Sequence, residues 1–154
     1  MSEARFWLLK SEPEVYSIDD LARDGQTSWE GVRNYQARNW MRDGMKLGDL
    51  VLFYHSNASP TGVAGVGRVC REAYPDPTQF DSTSNYYDPG SKAEDPRWLR
   101  VDIAFVEKLP RVVPLDELKA NPALAGLEVT RKGSRLSVTP VSPEHFALIR
   151  AMAG

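Results

Sequence analysis

The stretch "FWLL", residues 6–9, is a continuous apolar run of strand length with no polar residue on either alternate set. Such a strand has no face to turn to water, so it belongs inside a sheet that is covered on both sides. The run stops at Lys10-Ser11-Glu12-Pro13, residue types that grip anions and accept hydrogen bonds. A strand buried for the sake of the core, with a polar exit, places one rim of a binding site at its carboxyl end.

A second segment fixes where the core must lie. In "WLRVDIAFVEKL", Leu99, Val101, Ile103 and Phe105 alternate with Arg100, Asp102, Ala104 and Val106, which gives one apolar face and one half-wet face. Residues 50–54 and 63–69 read as an antiparallel pair, because the connection His55-Ser-Asn-Ala-Ser-Pro-Thr-Gly62 is built of turn residues. Residues 136–139 form another short strand.

Helix signals fall between these runs. Ser17-Ile-Asp-Asp20 has the form of a capping box with Asp in place of Glu, Tyr16 and Leu21 hold the staple positions, and Gly25 stops the helix over 18–24. Asn34 caps a second helix with Ala37, Trp40 and Met41 on one face, Arg38 and Arg42 on another, and Gly44 at its exit. Short helices are predicted over 114–120 and 122–125, and Ser142-Pro143 opens a C-terminal one. Five or six strands punctuated by short helices, without regular βαβ alternation, predict an α+β fold: a small mixed β-barrel with helices packed around it. The 154 residues fit one domain spanning 1–154, since a single core serves about 100–200 residues.

Composition narrows the function classes. The one cysteine, Cys70, sits in a strand-like setting and reads as a buried, inert thiol, and no Cys-x-x-Cys or His cluster suggests zinc. No metal and no cofactor are expected. The glycines of "TGVAGVGRV" lie on a strand and do not open a helix, so a dinucleotide site is not expected. No apolar stretch reaches the roughly 18–20 residues of a membrane span, and the first residues lack a signal-peptide layout; a cytoplasmic, monomeric protein with no membrane partner is expected. A formal charge of −2 argues against coating nucleic acid through bulk electrostatics and leaves room for a local site.

The motifs "WLLKSEP", "YSIDDL", "WEGVRNYQARNWMR", "GDLVLFYHSN", "GVAGVGRV", "AYPDPTQFD", "YYDP", "PRWLRVDI" and "RLSVTPV" stand in the order seen in EVE-domain proteins, the group that includes the thymocyte nuclear protein 1 family. The chain resembles this family from residue 6 to about residue 141. The resemblance implies a PUA-like fold related to YTH and ASCH domains, no established enzymatic reaction, and a role in reading modified bases, with modified cytosine in DNA favoured and RNA also considered. In YTH domains the first strand likewise ends in Lys-Ser, followed by Asn where this chain has Glu12.

Reading a base requires flat walls, edge groups and cations for the phosphates. Trp29 matches the Trp that forms one cage wall in YTH domains; it either lines a pocket or fills the core, and its polar neighbours Ser28 and Glu30 favour the pocket. Tyr86 and Tyr87, on the long polar segment 76–97, are candidates for the second wall, unless that segment is only a surface loop. Glu12 accepts from the exocyclic amine of cytosine or adenine and cannot donate, and Ser11 adds a hydroxyl or its carbonyl. His55 and Ser56 close a strand and join the base-binding candidates, although His55 fits a structural role as well. Lys10, Arg33, Asn34, Arg38 and Arg42 are the phosphate-binding candidates: residues 31–46 carry four basic residues against one acid. A solvated helix face accounts for the same charges. The leading expectation is a non-catalytic module that binds nucleic acid bearing a modified base. The alternatives are a small-molecule or protein-interaction module using the same pocket, and a hydrolase built on His55 with Glu12 or Ser56.

Overall fold

A computed structural model describes residues 5–131 and 136–154. Six strands form one mixed sheet: β1 (Phe6–Ser11), β2 (Gln26–Trp29), β3 (Leu50–His55), β4 (Gly62–Pro75), β5 (Leu99–Pro114) and β6 (Val138–Val141), in the order β2-β5-β4-β3-β1-β6. β1 runs parallel to β3 and antiparallel to β6, and all other pairings are antiparallel. β2 and β6 end the sheet without pairing to each other, so the PUA-like α+β fold is present as an open sheet and not as a closed barrel.

The apolar run at the start of the chain does what its pattern demands. Trp7 and Leu9 point into one buried cluster with Val51 and Phe53, while Leu8 points to the opposite side with Leu52 and Tyr54. Each face is covered by helices. α1 (Ile18–Asp24) and α2 (Tyr35–Asp43) bring Ile18, Leu21, Ala37 and Met41 to the first cluster; α3 (Leu115–Ala120) and α4 (Pro143–Met152) bring Leu118, Phe146 and Ile149 to the second. At about 25 cal/mol per Å² of apolar surface, covering both faces is the main stabilising term. Gly65 on β4 permits the first layer to sit down, because a Cβ there would collide with Ile18 of α1 and the Glu107 carbonyl of β5.

Caps set the helix ends as the sequence indicates. The Asp20 amide donates to Ser17 Oγ at 3.1 Å and the Ser17 amide donates to Asp20 Oδ2 at 2.8 Å, a complete capping box. Asn34 Oδ1 accepts from the Ala37 amide at 3.0 Å.

Three expectations need correction, and one strand is new. Residues 26–29 form β2, for which the sequence carries no strand pattern: it has only four residues, and its edge position pairs it to β5 alone. The last strand covers Val138–Val141 and not 136–139; at the edge of the sheet it tolerates Pro140, which has no N–H to donate. Arg135, first residue of the motif "RLSVTPV", lies outside the described residues. Residues Pro122–Leu124 make a single 3-10 turn in place of a short helix. Cys70 is half-buried and not buried, with its Sγ 3.9 Å from Gln26 Oε1, and burial pushes its thiol pKa up. Among the described residues no helix is long and apolar enough to cross a membrane.

Candidate nucleic-acid interface

β1 and β3 are parallel neighbours, with Ser11 opposite His55, so their carboxyl ends emerge side by side. A cleft of about 620 Å³ opens there, a size typical of small-molecule pockets at about 300–1,000 Å³. Its floor and rim come from Lys10, Ser11 and Glu12 at the end of β1, Thr27, Ser28 and Trp29 on β2, and Ser56 just beyond β3. Val15, Tyr16, Glu30, Tyr86 and Ser137 complete the lining.

Trp29 is both core and wall. It is 9% exposed, meets Phe53 edge-on at 5.4 Å between ring centroids, and still lines the cleft. The two readings of this residue are therefore compatible: one side of the indole is set by packing and the other borders the opening. Tyr86 is 46% exposed and lies over Gly31, whose φ of +83° only glycine adopts freely; a Cβ there would sit 2.7 Å from Tyr86 Cζ.

The segment carrying Tyr86 is anchored by buried polar groups. Asp76, with no exposed surface, accepts from the Gly31 amide at 2.8 Å, the Thr78 amide at 2.8 Å and Arg33 Nη1 at 3.2 Å. Burial alone would raise its pKa, but these donors outweigh it and hold the carboxyl below the usual range. Gln79 is saturated as well: its Nε2 donates to the Asp76 and Trp98 carbonyls, and its Oε1 accepts from the Trp98 amide and the Ser91 hydroxyl. Trp98 Nε1 donates to Asp88 at 2.7 Å. The segment is thus built into the fold, and the reading of it as only a surface loop does not hold.

Of the twelve residues singled out in the sequence, Lys10, Ser11, Glu12, Trp29, Ser56 and Tyr86 meet at this cleft, and the other six do not. Tyr87 is exposed away from it. His55 faces a second hollow with Pro13, Asn57 and Pro60, and its Nε2 accepts from the Ile18 amide at 3.1 Å, which makes it a structural histidine at the start of α1. Asn34 caps α2. Arg33 is held by Asp76, Thr78 and the Tyr86 carbonyl, with its guanidinium against the Tyr86 and Trp98 rings. Arg38 donates to the Arg97 carbonyl and Arg42 pairs with Asp43. Each of these side chains has a partner within the protein, and none of them lines the cleft.

The polar groups at the cleft are partly committed. Ser11 Oγ donates to the Tyr16 carbonyl at 2.6 Å, and the Ser11 carbonyl accepts from the Ser56 amide at 2.9 Å. Glu30 is paired with Arg100 at 2.8 Å. Glu12 Oε1 accepts from Asn57 Nδ2 at 2.7 Å. Among the described residues Lys10 is the one cation in the lining; burial lowers its pKa and the Glu128 carboxylate opposes that shift. Of the lining residues missed in the sequence, Thr27 and Ser28 came with β2, whose four residues carry too short a pattern to show alternation, and Glu30 follows directly after it. Among the described residues no cluster of His, Cys, Asp and Glu could hold a metal ion.

The EVE domain family matches residues 5–152. This chain is an EVE-domain protein. Mouse thymocyte nuclear protein 1 is 44% identical over 169 aligned positions, covering 97% of this chain and 74% of that protein. Among solved structures, a Pseudomonas putida protein superposes with a TM-score of 0.93 at 48% identity, over 97% of this chain and 99% of the other. Human thymocyte nuclear protein 1, solved in complex with DNA containing 5-methylcytosine, superposes with a TM-score of 0.91 at 41% identity, over 97% of this chain and 98% of that one. The resemblance read from nine ordered motifs is thereby shown, and so is the fold class it implied.

Proposed function

We propose that this EVE domain binds DNA carrying a modified cytosine, with the base lodged in the cleft and no reaction catalysed on it. The meeting of Trp29, Tyr86 and Glu12 at one opening supports this reading, as does the human relative's complex with 5-methylcytosine-containing DNA. The two aromatics supply walls, each worth about 1–3 kcal/mol in stacking. The Glu12 carboxylate accepts from the exocyclic amine, and the half-buried Lys10 ammonium meets an adjacent phosphate. A base must leave its stack to enter, so single-stranded or flipped substrate is required. The methyl group adds only about 0.8 kcal/mol, a factor of about four, and stronger selectivity rests on the fit against the walls.

Catalysis by His55 has no support in the geometry. Its Nε2 is engaged by the Ile18 amide, and no hydrogen bond joins it to Ser56 among the described residues. A second reading, capture of a free base or nucleoside, is favoured by one observation: among the described residues the lining holds two carboxylates against a single lysine. Binding of matched DNA and RNA oligonucleotides, with and without 5-methylcytosine, across a range of salt tests both. Affinity for methylated DNA that falls as salt rises supports the leading reading. Salt-independent binding of the nucleoside, with no gain from the strand, would replace it with the second.

A further inference from the structure

Glu12 lines the cleft, but the residue that holds it does not. Asn57 borders the neighbouring hollow and reaches Glu12 from behind, with Nδ2 donating to Oε1 at 2.7 Å. The second carboxylate oxygen, Oε2, has no partner among the described residues. Asn57 has a φ of +49°, a left-handed conformation that Asn adopts more readily than most residues. Its loop is braced on both sides. The Ser56 amide is fixed to the Ser11 carbonyl, and Thr61 closes the turn by accepting from the Ala58 amide at 3.2 Å and donating to the Ala58 carbonyl at 2.9 Å.

An exposed glutamate otherwise samples several rotamers, and ordering its long side chain costs binding free energy when a ligand arrives. A fixed amide donor on one oxygen removes that cost. We propose that Asn57 is a positioning residue that presents the free oxygen of Glu12 to the base, and that the pair makes the cleft selective for an amine-bearing edge over a carbonyl-bearing one. Cytosine offers its N4 amine to that oxygen. Thymine and uracil offer O4, an acceptor, which meets the carboxylate with repulsion. The inference rests on the base-reading role proposed above.

The test compares single-stranded oligonucleotides that carry one 5-methylcytosine or, at the same position, thymine. Wild-type protein is expected to prefer 5-methylcytosine by about tenfold or more. Asn57→Gly keeps the left-handed backbone available and removes the amide, so the preference should shrink by about tenfold while residual affinity for both strands persists. In the Glu12→Gln background the same change should have no further effect on the preference, which separates positioning from a general loss of fold. An unchanged preference in Asn57→Gly, with methylated DNA still bound, overturns the positioning role and leaves the base-reading role standing. No binding of methylated DNA by the wild type overturns both.

Discussion

The Asp76 carboxylate accepts the Gly31 amide at 2.8 Å, across 45 residues of sequence. That bond, with Arg33 on the same oxygen, clamps the segment before α2 to the segment that carries Tyr86. Replacing Asp76 with Ala leaves the Arg33 guanidinium, whose side chain is 21% exposed, without its counter-charge. Breaking such a buried pair costs about 3 kcal/mol, which corresponds to a melting temperature lower by about 6–12 °C. Thermal unfolding measures the loss. Oligonucleotide affinity should fall with it as Tyr86 loosens, and a variant that melts like the wild type would show that the clamp does not hold the segment.

Acid should act on the same carboxylate. The folded state keeps the Asp76 carboxyl below its usual range, so its contribution is present above the unfolded value of about 3.9 and disappears as pH falls through the folded one. His55 works at a higher pH. Burial, seconded by the Lys108 charge and opposed by Asp19, depresses its pKa below the ordinary histidine value of about 6.5. The unfolded chain then takes up the proton first, so this contribution is full above about pH 6.5 and is lost as pH falls. Melting temperature should drop between about pH 7 and about pH 5, and His55→Gln, which keeps an acceptor for the Ile18 amide without titrating there, should flatten the slope.

Gly31→Ala tests whether the Tyr86 ring is seated by the backbone beneath it. A left-handed alanine costs roughly 1–2 kcal/mol, and the added methyl would meet Tyr86 Cζ at 2.7 Å. Stability should fall by about that amount, and binding of methylated DNA should weaken further as the ring is displaced. Affinity equal to that of the wild type would show that the position of Tyr86 does not matter to the ligand.

The neighbouring tyrosines should part company. Tyr86 borders the cleft and Tyr87 does not, although the two are about equally exposed, at 46% and 43%. Tyr86→Ala should lose about 1–3 kcal/mol of binding, read by titration with a 5-methylcytosine oligonucleotide, and Tyr87→Ala should bind like the wild type. Equal losses would move the second wall.

How much of this was readable in the chain depends on the range of the interactions involved. The capping box at Ser17 and Asp20, the Asn34 cap and the doubly buried run 6–9 are local, and each is written in a few adjacent residues. That the run ends at a cleft was readable for the same reason: the change from apolar to Lys-Ser-Glu is abrupt. β2 was not, because "QTSW" gains its strand geometry only from pairing with β5. The partners of the arginines were unreadable for a related reason. Four basic residues near one helix resemble a patch, yet Arg33 finds Asp76, Thr78 and a tyrosine carbonyl more than forty positions away. Sequence proximity of charge says nothing about such distant partners.

The gap between β2 and β6 has its own consequence. Residues from β2 and Ser137, next to β6, line the same cleft, so the ligand aperture occupies the seam that a fully sealed cylinder would have stitched with main-chain hydrogen bonds. Among the described residues β2 and β6 share no main-chain pairing, so the nucleotide proposed above would enter by a doorway made by omission, framed by the first and last staves of the sheet.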